Sequence, residues 1–566
     1  MQAYVVVPKQ GADVADEWIG LGVEAHMQGK GADAERHYKK ALVMEPRSAV
    51  ATQNLAIIYA QSGNLNEALL TIERALLFND KLGVAWMNQG LMQLDSERVG
   101  DALASCRKAI AIEENVHTRL ALAVVLATAG LPAEAVPLYN KVLDEIPAHP
   151  QAGPNACFIQ TLTKAGPAEL LAQRRRWYDA NAFKCEIKPH QNDMRYGRPL
   201  RVGYVGGDFK CHSAAMIFAS VVLHHDPAKI QPYLYATLPL DPVADGATKK
   251  FKDMAGDRWR DIAEMDDEKA DALIREDQID IMVDLAGHTN GGRLSLFTRK
   301  PAPVQVTAWG FAHGTDCPEI DYFFADPVAV PEHERAHYAE KIYDLPCIVS
   351  YEPPEYGLKG VSDTPFRRNG YVTFGSSARY EKLSDECLAA FAEILRRVPD
   401  SRLRLKDHSY RRPYSIQRVM ESMPDIAPER LAFIGSTPHH EHMQEYQSSD
   451  LILDPFPHTG GVVCMEQIYM GVPIVTLYGT QAAGRTTASV LTAMGRKEWI
   501  ARTPQEYVET AVRLAENPIE LGKARKTLRD EFLASRAIKG YREATEAAYR
   551  RIWAKHIGAD MQEAAE

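Results

Sequence analysis

Within the first 150 residues, one amphipathic helical pattern returns at a nearly constant interval. Its most regular position holds Ala34, Ala68, Ala102 and Ala135, so the steps are 34, 34 and 33 residues. A unit of this length holds two helices, and neither can bury its apolar face without a neighbouring unit. The pattern therefore predicts a stack of helix pairs in this part of the chain.

The units agree in phase when they are started at Ala15, Ala49, Gly83 and Val116. Their eighth position is then small, being Gly22, Ala56, Gly90 and Ala123. Small residues are needed where two helices approach closely, and a repeat of this length is typical of tetratricopeptide (TPR) repeats. We predict an N-terminal α-helical TPR solenoid over residues 1–150 and a degenerate repeat or helical linker over 151–198. An ordinary helical bundle with chance spacing is the alternative.

The composition is that of an ordinary folded chain. Its 566 residues are 46% hydrophobic and 25% charged, enough for about three or four domains. The net charge of -10 argues against a nucleic-acid partner, because such binding depends on Lys and Arg at phosphates. The N-terminal sequence lacks a charged start followed by an apolar core, and no run is long enough to span a membrane. We therefore expect a cytoplasmic protein with no membrane partner.

The cysteines carry little information about function. The chain has 8 of them, scattered without any Cys-x-x-Cys spacing. This distribution predicts reduced residues that pack in the interior, and not a disulfide framework or a zinc site.

From Leu200 onward, short apolar runs alternate with longer helical segments. The runs that we predict as strands are 201–205, 231–238, 279–285, 305–309, 371–374, 403–405, 431–434, 451–453 and 474–477. This alternation predicts parallel sheets with crossover helices. The stretch 352–369, which contains proline and glycine, separates two groups of runs, so we predict two doubly wound, Rossmann-like lobes at 199–365 and 366–566, the second with C-terminal helices. Such sheets bind ligands beyond the carboxyl ends of their strands, so we expect the chemistry there.

Several polar loops follow the predicted strands. His212 and His288 lie on loops of the first lobe, and Lys382 in the second lobe precedes a helix that Ser384 can cap. Later, a strand leads through two glycines, ending at Gly461, into another helix. Unpaired N–H groups and the dipole at a helix start favour anions, so we interpret this junction as a candidate phosphate cradle.

Two histidine patterns could be read as metal sites. The segment His333-Glu-Arg-Ala-His337 matches the His-Glu-x-x-His motif of zinc proteases. Its flanks are too polar for a buried catalytic helix, so we interpret it as a chance match. Three histidines lie between residues 439 and 442, where a preceding proline and the absence of nearby cysteines favour a polar helix start.

Five further strings occur in the chain in one order. They are Val283-Asp-Leu-Ala-Gly-His-Thr289, Pro301-Ala-Pro-Val-Gln-Val306, Asp321-Tyr with Asp326, Leu395-Arg-Arg-Val-Pro-Asp-Ser-Arg-Leu-Arg-Leu-Lys406 and Gly471-Val-Pro-Ile-Val-Thr476. With them, residues 200–553 resemble the catalytic region of the O-linked N-acetylglucosamine transferases, which join a TPR array to a two-domain GT-B glycosyltransferase. The resemblance covers nearly the whole chain. It implies transfer of N-acetylglucosamine from the UDP-GlcNAc donor to Ser or Thr of proteins, with inversion, without metal or cofactor, and with acceptors recruited by the TPR groove.

The resemblance also implies roles for single residues. Lys382 would stabilise the departing UDP, and His212 would lie beside the reacting centre as a possible base. The implied donor-binding residues, with His442 packing on uracil and Glu466 reaching the ribose, are Arg379, Thr437, His439, His442, Gly461, Val462, Val463 and Glu466. The implied sugar and acceptor pocket contains His288, Gly310 and Phe311. No Asp-x-Asp triplet occurs in the chain, so the task of a metal falls on Lys382 and the helix start.

The chain departs from the family pattern near the donor. It has Gly461-Val462-Val463 where the family often has His-Thr-Thr, and Glu381 where the animal enzymes have a tyrosine. It also has Phe311-Ala-His-Gly-Thr-Asp-Cys317 in place of Tyr-Pro-Gly-Thr-(Thr/Ser)-Gly. Two alternatives therefore stay open: a UDP-binding TPR scaffold with weak turnover, and a GT-B glycosyltransferase with another sugar donor.

The sixth position of each repeat is often Asn in the family, where its amide can pair with the backbone of an extended peptide. Here Asn54 and Asn88 hold that position in two of the four units. They predict a peptide groove, and the alternative is that both simply face solvent.

Overall fold

The computed structural model describes residues 14–184, 186–358 and 360–559. The N-terminal sequence used above for localisation, and Cys185, lie outside these ranges. Contacts divide the chain into two compact units, the first containing residues up to 152 together with 412–418, and the second containing the remainder.

The described part of the first unit begins with eight helices in four antiparallel pairs. In chain order they are α1 (Val14–Met27), α2 (Gly31–Met44), α3 (Ala49–Gln61), α4 (Leu65–Phe78), α5 (Gly83–Asp95), α6 (Val99–Ile112), α7 (Val116–Thr128) and α8 (Pro132–Glu145). The helices α3, α5 and α7 begin at the residues where the repeat predicts new units. The predicted phase is therefore confirmed.

The small residues of the repeat lie where helices touch. A Cβ atom at Gly22 would overlap the ring of Tyr38, and one at Gly90 would overlap Sγ of Cys106. The four alanines that define the repeat interval have no exposed surface. Close helix approach therefore accounts for the regular spacing.

The two repeat asparagines are buried. Asn54 is 0% exposed and Asn88 is 1% exposed, so the alternative in which they face solvent is wrong. The Asn54 Oδ1 accepts a hydrogen bond of 2.7 Å from Nε2 of Gln53. Neither amide is accessible to a peptide in this structure, and the groove stays a prediction.

The second unit opens with two helices, α9 (Ala152–Gln160) and α10 (Pro167–Asn181), and continues into a parallel sheet. Its strands are β1 (Leu200–Gly206), β2 (Ile230–Ala236), β3 (Trp259–Asp261), β4 (Ile281–Asp284), β5 (Val304–Thr307), β6 (Tyr322–Ala325) and β7 (Lys341–Asp344). Its helices are α11 (Ser213–Val222), α12 (Gly246–Ala255), α13 (Asp267–Glu276) and α14 (Leu294–Phe297). Within the described residues the strand order is β3-β2-β1-β4-β5-β6-β7, and the switch point lies between β1 and β4. Leu200 pairs with Ile230, and Val202 pairs with Ile281.

A second parallel sheet follows. Its strands are β8 (Thr373–Ser376), β9 (Arg402–Lys406), β10 (Leu431–Ile434), β11 (Leu451–Leu453), β12 (Ile474–Leu477) and β13 (Ile500–Ala501). The helices in this stretch of the chain are α15 (Pro365–Asn369), α16 (Asp385–Arg397), α17 (Pro413–Ser422), α18 (His439–Tyr446), α19 (Val462–Tyr469), α20 (Thr486–Met494), α21 (Pro504–Ala515), α22 (Pro518–Ala534) and α23 (Tyr541–Ile557). The first part of α17 belongs to the first unit. The order β10-β9-β8-β11-β12-β13 repeats the arrangement of the first sheet within the part of the chain described here.

The last helix, α23, returns to the first lobe. Glu546 on this helix accepts a hydrogen bond of 3.1 Å from Nδ1 of His225, and Tyr541 accepts one of 3.0 Å from Nε1 of Trp309. The predicted second lobe, 366–566, therefore includes a helix that packs on the first. No helix in the described ranges is both long and apolar enough to cross a membrane.

The described cysteines are mostly interior residues. Six of the seven are buried, as packing residues are expected to be, whereas Cys211 is exposed. The packing prediction is therefore wrong for Cys211.

Candidate active site

Lys382 lies on a short 3-10 turn between β8 and α16. Ser384 caps α16, its Oγ accepting a hydrogen bond of 3.1 Å from the backbone N–H of Cys387, as the sequence predicts. The Lys382 ammonium donates a hydrogen bond of 2.7 Å to the carbonyl oxygen of Thr459. Lys382 is thereby brought to the loop that precedes α19, the predicted phosphate cradle.

The surroundings of Lys382 disfavour its charge. Burial, and then the neighbouring positive charge of Arg379, lower the pKa of the Lys382 ammonium to about 7. The carboxylate of Asp454 acts in the opposite direction but does not compensate. An anion placed beside this ammonium would therefore stabilise its protonated form.

The cradle loop is held by a buried carboxylate. Asp454, which follows β11, accepts hydrogen bonds of 2.9 Å from the Gly460 N–H and 2.7 Å from the Thr476 hydroxyl. After this loop, α19 begins at Val462, and no described side chain caps its start at Gly461. Open space adjoins Gly461 on the side where a Cβ would stand. The first N–H groups of α19 thus have no side-chain cap, and uncapped N–H groups at a helix start are donors of the kind that bind phosphate.

A hydrogen-bonded cluster lies beside the cradle. Glu466 on α19 accepts a bond of 2.7 Å from Nε2 of His439 and a bond of 2.6 Å from the Tyr446 hydroxyl. Because that hydroxyl donates to the carboxylate, Nε2 of His442 donates to its oxygen, at 2.6 Å. Three of the predicted donor-binding residues are therefore brought together. A ribose hydroxyl at Glu466 would share a carboxylate oxygen that already accepts one bond.

Thr437 stands just before α18 and is held by a buried lysine. The ammonium of Lys406, at the end of β9, donates a hydrogen bond of 2.8 Å to the Thr437 hydroxyl. Burial lowers the pKa of Lys406. This lysine supports a predicted donor residue, although the sequence identified it only as part of a family string.

In the first lobe, His212 is the N-cap of α11. Its Nδ1 accepts a hydrogen bond of 3.3 Å from the Ala214 N–H and lies 3.4 Å from the carboxylate of Asp208. The side chain is exposed. Helix capping accounts for its position, and its role as a base stays a prediction.

His288 is fully enclosed. Its Nε2 donates a hydrogen bond of 3.3 Å to the Thr315 carbonyl, and its ring meets Trp177 and Phe311 edge-on at 5.0 and 5.8 Å. Burial lowers the pKa of His288 to about 3, so the ring is neutral. Its Nδ1 has no hydrogen-bond partner among the described residues.

Gly310 stands next to this histidine pocket. A Cβ at this position would overlap the carbonyl oxygen of Leu285, and the preceding Trp309 has a φ of 64°. The close backbone approach requires glycine here. Gly310 therefore shapes the pocket whether or not it touches a ligand.

The segment that matches the zinc-protease motif does not form an α-helix. Residues Glu332–His337 form a 3-10 helix, on which positions four apart do not share a face. Glu334 is buried and forms an ion pair with Arg485 of the second lobe, with a bond of 2.7 Å from Nη1. The acidic residue of the string thus joins the two lobes.

A model of glycosyl transferase family 41 matches residues 179–349 and 369–542, which include both sheets and more than half of the chain. The chain belongs to this family. A tetratricopeptide repeat model also matches residues 25–84 of the family 41 chain.

The family 41 chain is similar to several named proteins. It is 35% identical over 375 residues to SPINDLY of Arabidopsis thaliana, described as a probable UDP-N-acetylglucosamine–peptide N-acetylglucosaminyltransferase, covering 64% of this chain and 40% of that protein. It is 27% identical over 372 residues to SEC of the same plant, which bears the same description, covering 63% and 37%. The chain thus spans less than half the length of these curated relatives.

One solved structure covers almost all of the family 41 chain. It is a mutant of the O-GlcNAc transferase of Thermobaculum terrenum, with a TM-score of 0.78, 27% identity, and coverage of 90% of this chain and 98% of that one. The predicted fold class, a TPR solenoid followed by a GT-B pair of Rossmann-like lobes, is confirmed.

The sequence did not single out His458 of this family 41 chain. This histidine is on the cradle loop, one residue before Thr459, and Thr161 at the end of α9 touches its Nδ1 at 3.1 Å. Burial and the charges of Lys382 and Arg379 hold the pKa of His458 well below its usual range. The position of His458 just before the two glycines of the cradle could have marked it as a candidate site residue. Thr161 lies 297 residues away in the chain, and nothing in the sequence around it indicates this contact.

Proposed function

We propose that this family 41 protein transfers N-acetylglucosamine from UDP-GlcNAc to Ser or Thr hydroxyls of proteins, with inversion and without a metal. The observation that carries the proposal is the meeting of Lys382 with the uncapped start of α19. The Lys382 ammonium, whose pKa is lowered, and the uncapped N–H groups of α19 lie at the same loop, the one that contains Thr459. A diphosphate bound between them would stabilise the charge of the ammonium and accept hydrogen bonds from the N–H groups.

The proposed reaction is a single displacement. The acceptor hydroxyl oxygen bonds to the anomeric carbon from the face opposite the leaving group, and the bond from that carbon to the diphosphate oxygen breaks. UDP leaves with the electron pair, and the hydroxyl proton passes to a base, for which His212 is the candidate. Lys382 exchanges its bond to the Thr459 carbonyl for one to the diphosphate and stabilises the negative charge that develops there.

Incubation with radiolabelled UDP-GlcNAc and a cell extract tests the activity. We expect label on protein with the wild type and with Lys523→Met, a control at a side chain that is 71% exposed. We expect no label with Lys382→Met. UDP binding without label would favour the scaffold alternative, and label only from another UDP-sugar would favour a different donor. EDTA is expected to leave UDP binding and labelling unchanged, and loss of either would contradict the metal-free reaction.

The TPR groove is proposed to recruit the acceptor protein. Recruitment through these residues requires that the two buried amides become accessible when the acceptor binds. Asn54→Ala together with Asn88→Ala is then expected to raise KM for a protein acceptor and to leave KM for UDP-GlcNAc unchanged. Asn64→Ala is a matched control, because this asparagine is exposed and its side chain does not cap α4. Circular dichroism checks that the double variant is folded. An unfolded variant would lose the helical signal and all transfer activity, and would not show a selective rise in the acceptor KM. An unchanged acceptor KM would contradict recruitment through these residues, and the cytoplasmic location stays a prediction.

A further inference from the structure

The turn between α9 and α10 is fastened to the donor loops of the second lobe. Gln481, which is 1% exposed, donates hydrogen bonds of 2.9 Å to the carbonyl of Thr161 and 3.2 Å to that of Thr163. The Thr161 hydroxyl meets Nδ1 of His458 at 3.1 Å. Two loops at the carboxyl edge of the second sheet are therefore bound to this turn.

The direction of the bond between Thr161 and His458 follows from a second contact. The Thr161 Oγ1 lies 2.7 Å from the carbonyl oxygen of Phe158. A carbonyl only accepts, so the single hydroxyl hydrogen lies in that contact. The Thr161 oxygen therefore accepts from His458, and the hydrogen of the imidazole is on Nδ1.

The other nitrogen of His458 is consequently an acceptor. The pKa of His458 is held well below its usual range by burial and by nearby positive charge, so the ring carries only one hydrogen at neutral pH. With that hydrogen on Nδ1, Nε2 presents a lone pair. No residue of the described chain makes a hydrogen bond to this Nε2.

The position of His458 decides which group it meets. It is next to Thr459, whose carbonyl holds Lys382, and it precedes Gly460 and Gly461 at the start of α19. A donor whose diphosphate lies on Lys382 and α19 carries its sugar on that diphosphate. A sugar presents hydroxyl and amide hydrogens, which a lone pair accepts, whereas a diphosphate presents none.

We propose that His458 is a sugar-binding residue of the donor site, whose Nε2 accepts a hydrogen bond from a hydroxyl or amide N–H of the donor sugar. Thr161 is the positioning residue that fixes the hydrogen on Nδ1. The inference rests on the proposed function, because it takes a nucleotide sugar as the ligand of this loop.

Two replacements separate the nitrogens of His458. His458→Asn keeps an amide near Nδ1 that can still donate to Thr161, but it has no atom at Nε2. His458→Gln places an amide oxygen near Nε2 and loses the donor to Thr161. Thr161→Val removes the hydroxyl with little change in shape, and Thr161→Ser restores it. Thr163→Val is the control, since that hydroxyl bonds only within its own turn.

Calorimetric titration with UDP and with UDP-GlcNAc provides the test. We expect His458→Asn to weaken UDP-GlcNAc binding about 3- to 10-fold, as for one neutral hydrogen bond, and to leave UDP binding unchanged. His458→Gln should retain more of the UDP-GlcNAc affinity. Thr161→Val should lose part of it, while Thr161→Ser and Thr163→Val resemble the wild type.

Several outcomes overturn the inference. Equal weakening of UDP and UDP-GlcNAc by His458→Asn would show a purely structural role, and no change in either would show no contact. A wild type that binds neither ligand overturns the proposed function as well, which distinguishes the two failures. Nitrogen NMR of histidine-labelled protein reads the tautomer independently, with the His458 signal identified by its loss in His458→Asn. A hydrogen on Nε2 in the unliganded protein would refute the role of Thr161.

Discussion

Donor binding should depend on pH through Lys382. In the free protein the pKa of this ammonium is about 7, whereas contact with a diphosphate holds it protonated throughout the neutral range. The bound state therefore carries more protons than the free state above pH 7. It follows that affinity rises as the pH falls, and not the reverse.

The size of the effect follows from the protonated fraction of Lys382. With a pKa of about 7, that fraction is about three quarters at pH 6.5 and about 3% at pH 8.5. Because the apparent affinity scales with the binding-competent fraction, Kd for the donor should rise about 25-fold over this interval. The diphosphate of a UDP-sugar has no group that titrates there, so UDP-GlcNAc is a better probe than UDP.

The assay is calorimetric titration of UDP-GlcNAc at several pH values and fixed ionic strength. Lys382→Met should bind more weakly at low pH and show almost no pH dependence. Lys406→Met is the control for pH dependence and should keep the slope of the wild type. Lys406 is also a buried lysine of lowered pKa, but its ammonium donates to Thr437. A flat profile for the wild type, or a slope that survives in Lys382→Met, would refute the reasoning.

Two further predictions concern the scaffold of the site. Gly310→Ala should lower the free energy of unfolding by at least about 2 kcal/mol, because its Cβ would overlap the Leu285 carbonyl oxygen. Gly461→Ala has open space around its Cβ and should change the free energy of unfolding by less than about 0.5 kcal/mol, yet it should weaken donor binding. Equal stability of the two variants in urea unfolding would contradict this. Arg485→Met should cost about 3–5 kcal/mol by leaving Glu334 buried without its partner, and adding Glu334→Met should recover most of it. A single variant as stable as the wild type would argue against that ion pair.

Buried strands could be read from the sequence because both of their faces are covered. All nine predicted runs correspond to strands, and most of these strands are largely buried, although β10 lies at a sheet edge and is only partly buried. The strands β3, β7 and β13 lie at sheet edges, are short or partly exposed, and were missed; β6 was also missed. Local pattern does not distinguish such segments from loops.

The candidate site was predictable where one strand, one turn and one helix define it. Lys382 and Gly461 each lie on such a junction, and the helix start at Gly461 was foreseen. The contact of Thr161 with His458 depends on packing between segments 297 residues apart, and the burial of Asn54 depends on how the repeat helices pack. Neither is encoded in spacing.

The return of α23 to the first lobe has a consequence for synthesis of the chain. The buried cluster of Tyr204, His225 and Glu546 joins β1 to a helix near the far end of the chain. During translation, the first lobe therefore leaves the ribosome with part of its interior uncovered and waits for more than 300 residues to be added. The packing of this lobe is completed only when α23 has been made, so we expect a stop codon before Tyr541 to destabilise a lobe whose own strands are already complete.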